Sequence, residues 1–283
     1  MDKENIAIKI KNLKPFSNPS FKVKPKNNPQ IINTHFKQNG GELVEKPGTL
    51  IAIISVISNE NIDKTIEETF GEISNNKSIA IKPKLLAKLH DCKHKSYAVL
   101  YHLKTIRKEI SNRYDEFCKN YNAGSGVSFE QENPILIYET EAFLFQVKSN
   151  LDLITQTLGF IVPSLKSFQT FAHSGTPGQP NYLVGGKVIK MLEKASEKNL
   201  YDTFEKNSKE WIQDMTCWRD TIANYSKLRN FYCFVEEPFK GEDVTIHYPS
   251  MPNGERLDNY CNKIFENLLV LYKEIFKIIK DKL

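Results

Sequence analysis

Apolar side chains recur at three- and four-residue steps through most of the chain beyond residue 84, and this periodicity restricts the fold more than any other feature. Such spacing places the apolar side chains on one face of an α-helix, and that face must be buried against a neighbour. The pattern predicts four long amphipathic helices, at residues 84–121, 134–160, 202–235 and 256–281. Long amphipathic helices joined by separate loops pack as a helical bundle.

Residues 1–78 follow a different pattern. Two short segments alternate apolar with polar side chains, as half-buried strands do, and four prolines between residues 15 and 29 interrupt the region. A β-branched run predicts a buried strand at residues 50–57, and residues 59–73 predict a short helix. The predicted fold is therefore mainly α, a helical bundle of four to five long helices with a small N-terminal α/β appendage. The predicted domains are residues 1–78 and 79–283.

Cysteine usage and hydropathy bear on where such a chain works. The five cysteines are widely spaced and odd in number, which argues against a disulfide framework. The N-terminus has no apolar signal-peptide core, and the longest apolar run, residues 50–57, is too short to span a bilayer. We expect a cytoplasmic protein with no membrane partner.

The net charge of +5 is modest, but its distribution is uneven. Residues 1–38 hold eight lysines against two acids, residues 81–122 hold ten basic residues against four acids, and the remainder is net acidic. Uneven charge can attract a phosphate backbone, or it can reflect lysine-rich solvated faces. Lys104 and Arg107, in the second basic segment, are candidate contacts for RNA or a protein partner.

Candidate metal ligands cluster on the first long helix. They are His90, Cys92, His94 and His102. Zinc needs ligands that converge, but Cys92 lies away from the helix face that His90 and His94 share, and His102 lies two turns beyond His94. We therefore predict no metal site.

Glycine-rich steps at residues 175–178 and 185–187 resemble fragments of phosphate-binding loops. Neither fits a complete nucleotide-binding motif, so we expect these glycines to serve turn geometry. No serine lies in a GxSxG setting, and nothing supports cysteine–histidine catalysis. No cofactor is predicted.

An arginine lies in the apolar stripe of the third predicted helix. At about 100° per residue, Arg229 falls at the same angle as Trp211. A buried guanidinium needs an acceptor, because an unpaired buried charge is very costly. Arg229 is therefore either in a salt bridge inside the bundle or in a cleft, where it can meet a phosphate oxygen. Either flank of the second helix can meet Arg229: Glu141, Lys148 and Asp152 lie on one, and Glu139, Gln146 and Asn150 lie on the other. Lys148 and Asp152 are candidate contacts for RNA or a protein partner.

Two segments resemble proteins of the HEPN type. Residues 138–153 (YETEAFLFQVKSNLDL) look like the first core helix of that superfamily, and residues 222–230 (IANYSKLRN) are similar to its motif-bearing helix. The resemblance implies a helical bundle that is often a dimer. Many members are metal-independent ribonucleases of toxin–antitoxin, CRISPR and phage-defence systems, and others are inactive binding modules.

The family's signature is an arginine, a polar residue and a histidine four to six residues after the arginine. Arg229 and Asn230 match its start, but Phe234 stands at the commonest histidine position. We therefore expect a degenerate HEPN-like protein, possibly dimeric, that binds RNA or a protein partner in a bacterial or phage defence system. One alternative is an active metal-independent ribonuclease whose base is His247 or His173. The other is a structural or interaction protein without a nucleic-acid ligand, in which Arg229 forms an internal salt bridge.

Overall fold

The computed structural model describes residues 9–10, 20–23, 59–80, 82–120, 127–129, 133–176, 179–224, 234–236, 244–251 and 253–283. The described chain is mainly helical, as predicted. Its α-helices are α1 (Asn59–Ser74), α2 (Lys77–Ala80), α3 (Pro83–Asn120), α4 (Pro134–Leu158), α5 (Gly186–Lys194), α6 (Lys198–Asn207), α7 (Gln213–Asn224) and α8 (Leu257–Lys282). Its strands are β1 (Lys9–Ile10), β2 (Ser20–Val23), β3 (Val127–Phe129), β4 (Phe234–Glu236) and β5 (Val244–His247). Within the described residues, no helix is both long and apolar enough to cross a membrane.

The chain divides into two compact units, each built from three segments. Unit 1 comprises Met1–Asn61, Lys104–Glu139 and Lys227–Tyr260. Unit 2 comprises Ile62–Leu103, Thr140–Ser226 and Cys261–Leu283. The predicted boundary at residue 78 does not coincide with an edge of either unit. The predicted strand at residues 50–57 lies outside the described residues.

Unit 1 contains an antiparallel sheet with the strand order β1-β2-β5-β4-β3. In its register, Ile246 of β5 is paired with Phe21 of β2 on one side and with Val235 of β4 on the other. After β5, the chain forms a tight turn, in which the buried Arg256 donates from Nε and Nη2 to the Asp258 carboxylate at 3.0 and 2.7 Å. The Arg256 guanidinium also lies 4.3 Å from the centroid of the Tyr248 ring. Asp258, two residues further along the chain, thus neutralises the buried arginine and reduces the free-energy cost of burying it.

Unit 2 has an apolar core with a polar centre. Phe70 of α1 packs against the α8 rings of Tyr272 and Phe276, with centroid separations of 4.8 and 5.2 Å. At the centre, the Asn150 Oδ1 of α4 accepts hydrogen bonds from Tyr272 Oη at 2.7 Å and from Ser96 Oγ of α3 at 3.2 Å. All three polar side chains are fully buried, so each depends on the others to replace the hydrogen bonds that water would make.

The predicted helix at 202–235 is wrong in two respects. A π-helical segment, Ser208–Ile212, separates α6 from α7, and residues 234–236 form β4 instead of helix. The π-helix makes its turn wider than that of an α-helix, so Asn207, Ser208, Trp211 and Ile212 all lie inside the core. Beyond α7, residues 234–236 form a ladder with β3 and β5, because tertiary pairing outweighs a helical periodicity.

The central hydrogen bonds can be tested by changing Tyr272 to Phe. We expect a loss of about 1–2 kcal/mol in the free energy of unfolding, because Asn150 loses one of its two donors in a buried setting. Tyr138, whose side chain is 67% exposed, supplies the matched control, and Tyr138→Phe should change stability by less than about 0.5 kcal/mol. Urea unfolding followed by circular dichroism measures both, and equal effects would contradict a special role for the Tyr272 hydroxyl.

Candidate functional site

The structure places the predicted site residues in different parts of the chain. Arg229 and Asn230 lie outside the described residues. His247 ends β5 in unit 1, opposite Ser20 on one side and Phe234 on the other. Lys104 and Arg107 are half-buried on α3 in the same unit. These positions do not test the roles predicted for the five residues, and those roles stay predictions.

Lys148 and Asp152 are partners of one another on α4. Lys148 Nζ lies 2.5 Å from Asp152 Oδ1, and the same oxygen accepts the backbone N–H of Phe171 at 2.7 Å. Asp152 therefore fixes the start of a loop that runs from residue 171 to residue 186. Because both side chains are largely covered, this pair has a structural task that is independent of any ligand.

The 171–186 loop, whose residues 177 and 178 are not described, is closed by backbone hydrogen bonds. Ser174 and Leu183 exchange two of them, at 2.9 and 3.0 Å, in an antiparallel bridge. The Ser208 hydroxyl donates to the carbonyl of Val184 at 2.6 Å, and this bond ties the loop to the π-helical segment. The loop is therefore anchored at both of its ends.

Gly185 allows the loop to pack on a buried ring. Its φ of +74° is a conformation that residues with a side chain rarely adopt, and an added Cβ would lie 2.0 Å from the ring of Phe171. The two backbone N–H groups that follow are already in hydrogen bonds with the chain. Gly186 N donates to Leu183 O at 3.0 Å, and Lys187 N donates to Ala172 O at 3.2 Å. These glycines serve turn geometry and close packing, as predicted, and the two amides are not directed at a phosphate.

The loop carries an exposed pair of rings. His173 and Tyr182 each lie one residue from the bridged Ser174–Leu183 pair, and neighbours in an extended chain alternate in direction. Both side chains therefore project from the face opposite Ser174 and Leu183, and their ring centroids are 5.5 Å apart. His173 is exposed and Tyr182 is half-buried, so the pair forms part of the surface of unit 2.

Groups of α7 act on the Tyr182 phenol. Burial raises its pKa; the nearby Asp220 carboxylate and Cys217 thiol raise it further, and Arg219 opposes them. The Cys217 thiol itself has a raised pKa, first through burial and then through the carboxylates of Asp214 and Asp220. A thiol held in its protonated form is a poor nucleophile, which argues against catalysis by this cysteine.

Arg219 is the most informative residue of this cluster. Its side chain is 22% exposed, and Nη1 forms an ion pair with Asp220 at 2.9 Å. The guanidinium also lies over the ring of Phe145 on α4, 5.6 Å from the centroid. Its buried Nε has no hydrogen-bond acceptor among the residues that the structure describes. Because Nε is buried, only the exposed part of the guanidinium can meet an anionic ligand.

Sequence reasoning selected Arg229 and missed Arg219. The spacing of Arg219 was the signal that could have identified it, because Arg219 follows the buried Met215 by four residues and precedes Ile222 by three. It therefore occupies a position typical of the core-facing stripe. We define the loop–α7 site as His173, Tyr182, Arg219 and Asp220, all of which belong to unit 2.

The histidine–cysteine cluster of α3 does not form a metal site in the structure. Cys92 is fully buried beside Thr157, with 3.5 Å between Sγ and Oγ1, and burial raises its pKa to about 11. A metal-binding thiolate would require a lowered pKa. Among the described residues, no group of three or more His, Cys, Asp or Glu side chains is placed to hold a metal ion.

Comparison with known proteins gives no relative. No protein-family model, no curated protein and no solved structure matches this chain. The similarity to HEPN-type proteins therefore depends only on the residue pattern of the two segments quoted above.

Gly185→Ala should destabilise the chain by at least about 2 kcal/mol, through both a positive φ and a clash with the Phe171 ring. Gly71→Ala is the matched control, because an added Cβ there meets nothing within 4 Å and the position is inside α1. The control should stabilise by about 0.5–1 kcal/mol. Thermal unfolding measures both, and a neutral Gly185→Ala would mean that the Phe171 ring does not depend on this glycine.

Proposed function

We propose that this chain binds RNA through the loop–α7 site of unit 2. The observation that carries the proposal is the position of Arg219, which is half-buried against Phe145 and acts electrostatically on Tyr182, whose ring centroid lies 5.5 Å from that of the exposed His173. A cation for phosphate near surface rings for bases is the combination that single-stranded nucleic acid requires. The resemblance to HEPN-type proteins, in which inactive members serve as binding modules, supports the same function.

Arg219 supplies the phosphate contact. Its Nη1 is held by Asp220, which orients the planar group; its Nε is buried, and 22% of the side chain remains exposed. Phosphate oxygens accept charge-assisted hydrogen bonds from the exposed part of a guanidinium. The cation–π contact with Phe145 helps to fix the guanidinium before a ligand arrives, so less conformational entropy is lost on binding.

His173 and Tyr182 supply the base contact. Stacking on exposed rings tolerates different bases, because every base has a π-face. The raised pKa of Tyr182 keeps its hydroxyl protonated at neutral pH, so it can donate a hydrogen bond to a phosphate or a base. The site therefore favours binding with little sequence preference.

The missing histidine of the family signature favours binding over cleavage. Phe234, which stands at the histidine position, is the first residue of β4, and its side chain cannot accept a proton. By the same resemblance, we place the protein in a bacterial or phage defence system, where a partner protein or a second copy of the chain is a further candidate ligand.

Arg219→Gln should weaken RNA binding about tenfold or more, since one charge-assisted contact of about 1.5–3 kcal/mol is lost. Lys206→Gln is the control, because Lys206 is an exposed residue of α6 that pairs with Glu274. Fluorescence anisotropy with a labelled 12-nucleotide single-stranded RNA in EDTA measures both affinities. Wild-type protein that fails to bind would refute the proposed function. Arg229→Ala in the same titration tests the resemblance separately.

A second candidate is metal-independent RNA cleavage, favoured by the exposed His173 beside Tyr182 and Arg219. His173 would take the proton of the 2′-hydroxyl, and the 2′-oxygen would attack phosphorus as the bond to the 5′-oxygen breaks. The leaving 5′-oxygen would take the Tyr182 proton, with Arg219 stabilising the phosphorane charge. The products are a 2′,3′-cyclic phosphate and a 5′-hydroxyl.

Cleavage in EDTA by wild type and by His173→Ala separates this reaction from binding. If His173 is the base, the variant should lose about 100-fold or more of the cleavage rate at saturating RNA, where weaker binding no longer limits the rate. His94→Ala, at an exposed position of α3, serves as the histidine control and should cleave like wild type. Intact RNA with wild-type protein would reject the second candidate and leave the binding function standing.

A further inference from the structure

The short helix α5 presents a row of lysines. Lys187, Lys190 and Lys194 are all exposed, and at about 100° per residue they fall within about 60° of one another around the helix. The opposite face carries Val188, Ile189 and Leu192, which are buried in unit 2. The core therefore fixes the direction in which the three lysines project.

Acidic neighbours do not neutralise this lysine row. In the part of the chain that the structure describes, none of the three lysines forms an ion pair, whereas Glu197, just beyond the helix, pairs with Lys282. Glu193 lies about 60° further round the helix from Lys190 and is exposed. Some lysines elsewhere in the unit are paired, for example Lys93 with Glu67 at 2.7 Å and Lys209 with Glu205 at 2.9 Å.

The lysine row begins beside the loop–α7 site. The backbone N–H of Lys187 donates to the carbonyl of Ala172 at 3.2 Å, and Ala172 directly precedes His173. From Lys187 to Lys194 the helix rises about 10 Å. The three ammonium groups are therefore spread over a length on which they can contact successive phosphates of one strand.

We propose that the lysine row of α5 is a track for the phosphate backbone of RNA whose neighbouring nucleotide occupies the loop–α7 site. This inference rests on the proposed function and deepens it. Exposed ammonium groups attract phosphates without reading sequence, and their contribution comes from release of counterions. The row therefore extends the site in one direction and supplies a salt-dependent part of the affinity, while Arg219 and the two rings supply the local contact.

The salt dependence of binding tests the track. The variant Lys187→Gln/Lys190→Gln/Lys194→Gln keeps helix propensity and removes three charges. The matched control, Lys198→Gln/Lys206→Gln/Lys209→Gln, removes three charges from exposed lysines of α6 and the π-helical segment. Affinity for the labelled 12-nucleotide RNA is measured by anisotropy from 50 to 300 mM KCl, with far-UV circular dichroism as the check on folding.

The row variant should reduce the slope of log affinity against log salt by about 2, at about 0.7 per phosphate contact, and lower the affinity at 150 mM by roughly tenfold or more. The control should keep the wild-type slope. An unchanged slope in the row variant, or equal losses in both variants, would overturn the track while RNA binding at the loop–α7 site stands. Wild-type protein that binds no RNA at any salt concentration would refute the proposed function itself, and the track with it.

Discussion

The amide of Asn150 is the interaction on which the rest of unit 2 depends. It joins α4 to Ser96 of α3 and to Tyr272 of α8 in a setting without solvent, and its Nδ2 also donates to Gln146 O at 2.9 Å. A hydrogen bond of this kind adds little net free energy, but a buried amide that loses its partners is costly. The three helices therefore share one allowed register, because any sliding would leave the amide unpaired.

That register positions the loop–α7 site through α4. The helix that carries Asn150 also carries Phe145, which faces Arg219, and Asp152, which holds the backbone of Phe171. The π-helical segment contributes from the other side, since Ser208 lies within it and binds the carbonyl of Val184. A single helix, α4, thus connects the polar centre of the core with the loop–α7 site. The position of this helix fixes the positions of the side chains in that site.

Helices could be predicted from the sequence because each one carries a long stripe that must be buried. The predicted α3 and α4 agree with the structure to within two residues at each end, and the apolar stripe of α4 from Leu136 to Leu158 is buried as expected. The break at Ser208–Ile212 and the strand at residues 234–236 could not be predicted, because both depend on partners distant in sequence. The contact of Arg219 with Phe145 could not be predicted for the same reason, because the two residues lie far apart in the sequence.

The anchoring of the 171–186 loop has a consequence for how such a surface can change during evolution. The bonds that close the loop use backbone atoms of residues 171, 172, 174, 183, 184 and 187, and the packing constraint falls on Phe171 and Gly185. Tyr182 adds a bond from its backbone N–H to Gln179 O at 2.9 Å, which any residue except proline can make. The exposed side chain at position 173 can therefore be exchanged at little cost to the scaffold, so this surface can diverge between descendants while the fold stays constant.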